Sequence, residues 1–136
     1  MNGVRVALDT SIAIKFLNSV PAVVARFRAE GLVALPITVV GELLFGAISS
    51  GLKAANYARY QDFILDAVLL PIDLETARRY ADLRLTLKLA GRPIPENDVW
   101  IAATCLRYSL TLVADDIHFS ACPGLVVENW AERLDP

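Results

Sequence analysis

Short apolar runs that alternate with helix-like segments constrain this chain more than any other feature of its sequence. The run at residues 4–8 lacks the apolar–polar alternation of a half-exposed strand, which is typical of a strand buried on both faces, and the later runs indicate further short strands. Strands that alternate with helices indicate a parallel sheet covered by helices on both sides. The predicted class is therefore α/β, and the predicted strands are residues 4–8, 32–36, 68–72, 111–114 and 125–129.

Helical periodicity and terminal residues define the segments between these strands. Pro21 suits the first turn of a helix, and Gly31 and Gly51 suit positions just beyond helix ends. Thr38 is the predicted N-cap of the third helix. Pro71 lacks a backbone N–H and would restrict the third strand to an edge of the sheet or to a strand end. The predicted helices span residues 12–17, 21–30, 38–50, 52–67, 75–89 and 98–108.

Length and composition limit the classes of protein that this sequence can encode. The chain has 136 residues, which fits one domain that spans residues 1–136. Hydrophobic residues make up 55% of it, yet no apolar stretch approaches the roughly 20 residues of a membrane span, so we expect no membrane association. The excess apolar surface predicts a dimer or partner interface. The absence of a secretory signal pattern predicts a cytoplasmic location, in which Cys105 and Cys122, without CxxC spacing, stay free thiols.

The charge balance argues against nucleic-acid binding by bulk electrostatics, because the net charge is −2. One stretch differs from the rest of the chain. Between residues 78 and 92 a single acid, Asp82, stands among basic residues, so this stretch is either a solvated helix face or a patch that contacts phosphates. Its basic residues are Arg78, Arg79, Arg84, Lys88 and Arg92.

Four acidic residues beside apolar runs carry the main chemical signal: Asp9, Glu42, Asp98 and Asp116. Asp9 and Asp116 follow predicted strands, and ligands of open parallel sheets bind at that carboxyl edge. Asp98 opens a predicted helix, whose positive end favours a carboxylate. Two carboxylates about 4 Å apart repel by roughly 4 kcal/mol at an effective dielectric of about 20. Converging acids therefore need protons or metal cations, and a divalent cation is the simpler solution.

Each acid also has a purely structural interpretation. Asp9 could simply be the cap of the next helix, and Asp98 could be no more than a first-turn acid. One residue of the Asp115–Asp116 pair belongs to a turn. Glu42 is the hardest to explain in this way, because its neighbours in the helix are apolar. His118, the one histidine of the chain, is expected to have a surface or hydrogen-bonding role.

The order LDTS, GELLFG, PENDVWIAATC and LVADDIHFSACPGLVVENW resembles the PIN-domain ribonucleases, and most closely the VapC toxins of toxin–antitoxin pairs, over essentially the whole chain. The resemblance implies a small three-layer α/β/α sandwich with a parallel sheet and Mg²⁺- or Mn²⁺-dependent endonucleolytic cleavage of RNA. Thr10 or Ser11 falls where the family often has a hydroxyl or amide beside the first acid. By motif position, the acidic ligands of the family fall on Asp9, Glu42, Asp98 and Asp116.

The match departs from the family pattern after the fourth strand. The family commonly has Thr or Ser, any residue and then Asp, followed two residues later by Asp or His and then Phe. Alignment on Phe119 places Asp116 on the acid, Asp115 on the variable position and Ala114 where the hydroxyl would be. Asp116 is therefore the assigned ligand, and Asp115 is held in reserve.

The resemblance also implies a mechanism and partners. Mg²⁺ favours octahedral oxygen coordination, which suits an acidic pocket without His or Cys ligands. Asp9, Asp98 and Glu42 would hold a first ion, and Asp116 would complete the set. Toxins similar to this chain form homodimers, or larger hetero-oligomers with a small antitoxin that lays a helix in an apolar groove, a surface that helices between residues 38 and 70 could supply. Candidate contacts to the RNA phosphates are Lys15, Arg84, Lys88 and Arg92.

Two other functional classes compete with the nuclease. One is a catalytically silent PIN fold that acts as a binding module, for which Ala114 is the only hint. The other is a phosphoryl-transfer receiver domain, in which acids after the first strand also gather around Mg²⁺. That class needs an aspartate after the middle strand, which Asp73 could supply, and a lysine after a late strand, which the TLVADD segment lacks.

Overall fold

A parallel sheet forms the centre of the molecule. The computed structural model describes residues 3–49, 51 and 54–132, and within them the sheet has five strands in the order β3-β2-β1-β4-β5. All neighbouring strands pair in parallel, and β1 and β4 lie side by side with Leu8 opposite Val113. The strands are β1 Val6–Leu8, β2 Ala34–Pro36, β3 Val68–Leu70, β4 Thr111–Val113 and β5 Val127–Glu128.

Helices connect the strands and cover the sheet, which confirms the predicted α/β class. The central strand β1 is fully buried, as expected for a run without alternation. Helix α6 packs extensively on α5 and contacts β2 and β4 of the sheet. The helices are α1 Thr10–Leu17, α2 Pro21–Glu30, α3 Ile37–Ser49, α4 Ala54–Asp66, α5 Leu74–Leu89 and α6 Glu96–Tyr108, and a 3₁₀ helix spans Ile117–Ala121.

Several predicted boundaries are wrong by one or a few residues. Thr38 is not an N-cap, because β2 passes from Pro36 directly into α3 and the helix has already begun at Ile37. Helix α5 begins at Leu74, since Asp73 caps it. Helix α6 begins at Glu96, so Asp98 lies inside its first turn. The predicted helix ends at residues 50 and 52 lie outside the described residues.

The position of β3 and the state of the two cysteines agree with the predictions. Strand β3 is an edge strand that ends immediately before Pro71. Cys105 and Cys122 are buried free thiols. In the described part of the chain, no helix combines the length and the apolar character needed to cross a membrane.

Candidate metal centre

The two central strands deliver acids to the same edge of the sheet. Asp9 follows β1 directly, and Asp115 and Asp116 follow β4 after Ala114. The backbone N–H of Asp9 donates to the carbonyl of Val113 at 2.9 Å, which fixes the first acid beside the end of β4. Because parallel strands have their carboxyl ends together, these acids lie where open α/β sheets bind ligands.

Asp9 is the most deeply buried acid of the group, with 6% of its surface exposed. Its burial raises the pKa of the carboxyl to about 7, and the negative charges of Asp98, Glu42 and Asp115 act in the same direction. The Asp9 backbone begins α1, but its side chain makes no N-cap hydrogen bond to the described residues of that helix. A hydrogen bond from the backbone of Thr10 acts to lower the pKa of Asp9, and burial outweighs it. The charged form of the carboxylate therefore has less stabilisation than a structural cap would give it.

Helices α3 and α6 add Glu42 and Asp98 to the same region. The amide nitrogen Nδ2 of Asn97 donates to Oε1 of Glu42 at 3.3 Å, which joins the two helices beside the acids. Burial raises the pKa of Asp98, and the charges of Asp116 and Glu42 raise it further, while His118 opposes them. The acids thus destabilise one another's charged forms, as expected of a site suited to a cation.

The two acids after β4 have different surroundings. Asp115 forms an ion pair with Lys15 of α1. Burial acts to raise the pKa of Asp115, but hydrogen bonds from Lys15 and Ser11 outweigh it and hold that pKa below its ordinary value. Asp116 instead caps the 3₁₀ helix, where its Oδ1 accepts the backbone N–H of His118 at 2.9 Å. A lysine therefore pairs with Asp115, whereas the partners of Asp116 are a backbone N–H and the imidazole of His118.

His118 lies beside the acids, although no ligand role was predicted for it. Its Nδ1 lies 3.1 Å from Oδ1 of Asp116 and 3.7 Å from Oδ2 of Asp98. The sequence signal was its place directly before Phe119, where the PIN-domain pattern commonly has Asp or His. One ligand atom from each of these three side chains lies within 4.8 Å of the other two.

The predicted phosphate contacts have different surroundings. Lys15 binds Asp115, and Nη1 of Arg84 lies 2.8 Å from the hydroxyl of Tyr80 and 3.5 Å from Oε1 of Glu96. Arg78 and Arg79 pair with Glu75 along the exposed face of α5, as the solvated-face interpretation expects. Lys88 and Arg92 are exposed, and neither has an ion-pair partner among the described residues.

The donor set fits a divalent cation. Carboxylates are the protein ligands that Mg²⁺ and Mn²⁺ prefer, and crowded acids with raised pKa values gain most from added positive charge. The hydroxyl of Thr10, next to Asp9, is buried and has no hydrogen-bond partner in the described part of the chain. Buried hydroxyls are normally satisfied, so this one marks a place where the site is chemically incomplete.

The fold and the site define an α/β protein with clustered acids at the carboxyl edge of a parallel sheet, an arrangement suited to a cation. This chain belongs to the PIN-domain family, whose model matches residues 6–125. It is 30% identical over 126 residues to Ribonuclease VapC2 of Haemophilus influenzae, covering 90% of this chain and 96% of that protein. It is 29% identical over 127 residues to the tRNA(fMet)-specific endonuclease VapC of Shigella flexneri, covering 91% and 96%.

A solved structure shows the same likeness in three dimensions. The fold is similar to that of a chain in the crystal structure of VapBC2 from Rickettsia felis bound to a promoter DNA fragment, with a TM-score of 0.85 and 27% identity. The similarity covers 93% of this chain and 98% of that one. The predicted resemblance to VapC proteins is thereby confirmed.

The receiver-domain alternative does not fit the structure. Receiver-like folds have the strand order 2-1-3-4-5, whereas this sheet has the order 3-2-1-4-5. The carboxylate of Asp73, which that class would need among the acids, instead accepts hydrogen bonds from Thr76 and Arg107.

Proposed function

We propose that this chain is an endoribonuclease that hydrolyses RNA phosphodiester bonds with a divalent cation, Mg²⁺ or Mn²⁺, held by Asp9, Glu42, Asp98 and Asp116. The observation that carries the proposal is the buried carboxylate of Asp9, whose pKa is raised to about 7 by burial and by neighbouring acids from other elements. The similarity to proteins named ribonuclease VapC supports RNA as the substrate.

The roles of the acids follow from their surroundings. Asp9 and Asp98 carry the raised pKa values and would contribute most to binding a cation. Asn97 holds the carboxylate of Glu42 by its hydrogen bond, so Glu42 is oriented before any ligand arrives. Asp116 is preferred to Asp115 because Lys15 already neutralises Asp115.

When bound, the cation would supply positive charge to the phosphate under attack and lower the pKa of water. The protein would hold that cation and keep Asp9 out of bulk solvent. The exposed side chains of Lys88 and Arg92 would attract the RNA backbone, because single-stranded RNA needs a basic track toward the acids.

The proposal includes a toxin–antitoxin role. The similar Rickettsia felis structure is a VapBC2 complex, which supports a small antitoxin as the partner. A groove of about 560 Å³ between α1, α2 and α4, lined by Phe16, Phe27 and Phe63, has the apolar character that an amphipathic helix requires. The exposed side chains of Phe45 and Ile48 on α3 offer surface for a homodimer. A cytoplasmic location, where RNA and the antitoxin occur, follows from this role.

The test is cleavage of a structured RNA with Mg²⁺ or Mn²⁺, with and without EDTA. We expect Asp98→Asn to reduce the rate by about 100-fold or more, because it removes a predicted ligand, and EDTA to abolish cleavage. Asp82→Asn makes the same chemical change on the exposed surface of α5 and should leave the rate unchanged. Cleavage that survives both Asp98→Asn and EDTA would contradict the proposal.

The silent-fold alternative predicts a different pair of results. A binding module without catalysis would show neither RNA cleavage nor Mn²⁺ binding by calorimetry.

The one hint of a silent fold was Ala114. Its buried side chain packs in the core, and Ser11 provides a hydroxyl to Asp115 nearby. Although Ala114 stands where the family pattern commonly has Thr or Ser, this edge of the sheet still has a hydroxyl group.

A further inference from the structure

The imidazole of His118 gives the acid cluster a nitrogen donor. Its Nδ1 is 3.1 Å from Asp116 Oδ1 and 3.7 Å from Asp98 Oδ2. The three ligand atoms lie within 4.8 Å of one another. In an octahedral complex with donors about 2.1 Å from the ion, neighbouring donors are about 3.0 Å apart and opposite donors about 4.2 Å apart. The observed separations are close to those that one ion requires.

The local structure holds these groups in place before any ion binds. Asp116 caps the 3₁₀ helix and accepts the backbone N–H of His118, which fixes the relation between the two side chains. Phe119, the next residue, is fully buried and anchors that helix to the core. Asp98 is carried by the first turn of α6. The cluster therefore needs little rearrangement to bind an ion, which lowers the entropic cost of binding.

The cluster is also accessible. The side chain of His118 is 46% exposed and that of Asp116 is 40% exposed, whereas the side chain of Asp98 is 13% exposed. A hydrated ion could thus approach from the His118 side and reach the more buried acid. By contrast, a histidine that only stabilised the 3₁₀ helix would not need to face two carboxylates from two separate elements.

Ligand chemistry distinguishes the ions that this arrangement suits. Mg²⁺ is a hard cation that prefers oxygen donors and keeps its waters, whereas transition-metal dications bind imidazole nitrogen readily. Replacing an oxygen donor by imidazole therefore lowers the relative affinity for Mg²⁺.

We propose that His118 is a metal ligand in a subsite with Asp98 and Asp116, and that its imidazole makes this subsite select a transition-metal dication such as Mn²⁺ over Mg²⁺. This inference rests on the proposed metal-dependent function and specifies which cation the site takes.

The single histidine of the chain makes a direct test possible. Once any purification tag is removed, imidazole nitrogen coupling in the pulsed EPR spectrum of the Mn²⁺ complex can arise only from His118. We expect this coupling in the wild type and its loss in His118→Gln. Calorimetry should show Mn²⁺ binding weakened by about tenfold or more in His118→Gln, while Mg²⁺ binding changes less.

Two further variants separate ligation from a structural role. His118→Asp restores an oxygen donor, so it should bind Mn²⁺ without nitrogen coupling and shift the preference toward Mg²⁺. Ser120→Ala removes the hydrogen bond from Ser120 Oγ to the carbonyl of Ile117 in the same 3₁₀ helix and should keep the full nitrogen coupling. Circular dichroism of each variant verifies that it is folded.

The outcomes separate this inference from the proposed function. Mn²⁺ binding by the wild type without nitrogen coupling, or equal loss of Mn²⁺ and Mg²⁺ affinity in His118→Gln, overturns the role of His118 and leaves the nuclease proposal intact. Absence of any Mn²⁺ binding by the wild type overturns both. Nitrogen coupling in a wild type that cleaves no RNA supports the ligand assignment and contradicts the nuclease.

Discussion

Asp9 and Asp73 occupy equivalent places in the fold and have opposite surroundings. Each follows a strand at the carboxyl edge of the sheet and is the N-cap of the next helix. Asp73 accepts the backbone N–H of Thr76 at 2.9 Å and binds Arg107 at 2.8 Å, and these contacts hold the pKa of Asp73 well below its usual range. Asp9 has neither a side-chain cap hydrogen bond nor an ion-pair partner among the described residues. Burial outweighs its hydrogen bond from the backbone of Thr10, and its pKa rises to about 7.

The difference shows how to separate a structural acid from a functional one. A carboxylate that stabilises the fold has its charge balanced by hydrogen bonds and a cation of the same chain. A carboxylate that binds an external cation must keep its charge unbalanced, at a cost in stability. The position after a strand is the same in both cases, so the surroundings decide the role.

The largest expected effect concerns the stability of the metal-free protein. Asp9→Asn removes an unbalanced buried charge and should stabilise the fold by up to about 4 kcal/mol at pH 8, from the rise in pKa from 3.8 to about 7. A raised carboxyl pKa disfavours the native state as pH rises through this window, so the gain should vanish near pH 4. Urea unfolding in EDTA at pH 8 and pH 4 measures it, and an equal effect at both values would contradict the interpretation of Asp9.

Cation binding should offset the same unbalanced charge. At a concentration 100 times its Kd, Mn²⁺ should stabilise the wild type by about 2.7 kcal/mol at neutral pH. Asp98→Asn should lose most of this gain, because it removes a ligand, whereas Asp73→Asn should keep it. Thermal unfolding with and without Mn²⁺ makes the measurement. A gain in Asp98→Asn equal to that of the wild type would place the cation elsewhere.

A smaller effect is expected at the balanced acid. Asp73→Ala removes the cap of α5 and the partner of Arg107, so the melting temperature should fall by about 3–6 °C at neutral pH, with RNA cleavage retained. Because the pKa of Asp73 is lowered, its contribution is present above about pH 4 and is lost as pH falls below that value. Calorimetric scans at pH 7 and pH 3 test this. A loss of cleavage in the folded variant would show that Asp73 is not a purely structural acid and so contradict its contrast with Asp9.

The scaffold was largely predictable from the sequence because its signals are local. Short apolar runs indicated each strand, although every strand is shorter than its run. Capping was less predictable, since Thr38 and Asp73 are both good cap residues and only the path of the backbone decides which one caps. Tertiary context overrode a local preference at Thr38.

The composition of the site was predictable only in part, because side chains from separate elements determine it. The sequence indicated which acids could meet but not that Lys15, 100 positions away, would pair with Asp115. The proximity of His118 to Asp98 depends likewise on how the 3₁₀ helix lies against α6. Such contacts depend on the three-dimensional arrangement, which a single sequence does not specify.

The direct passage of β2 into α3 has a consequence for protein engineering. No loop residue separates Pro36 from Ile37, and Glu42 follows in the second turn of the helix. One residue inserted before Glu42 would rotate its carboxylate by about 100° around the helix axis, away from Asn97. This junction should therefore tolerate changes of side chain far better than changes of length.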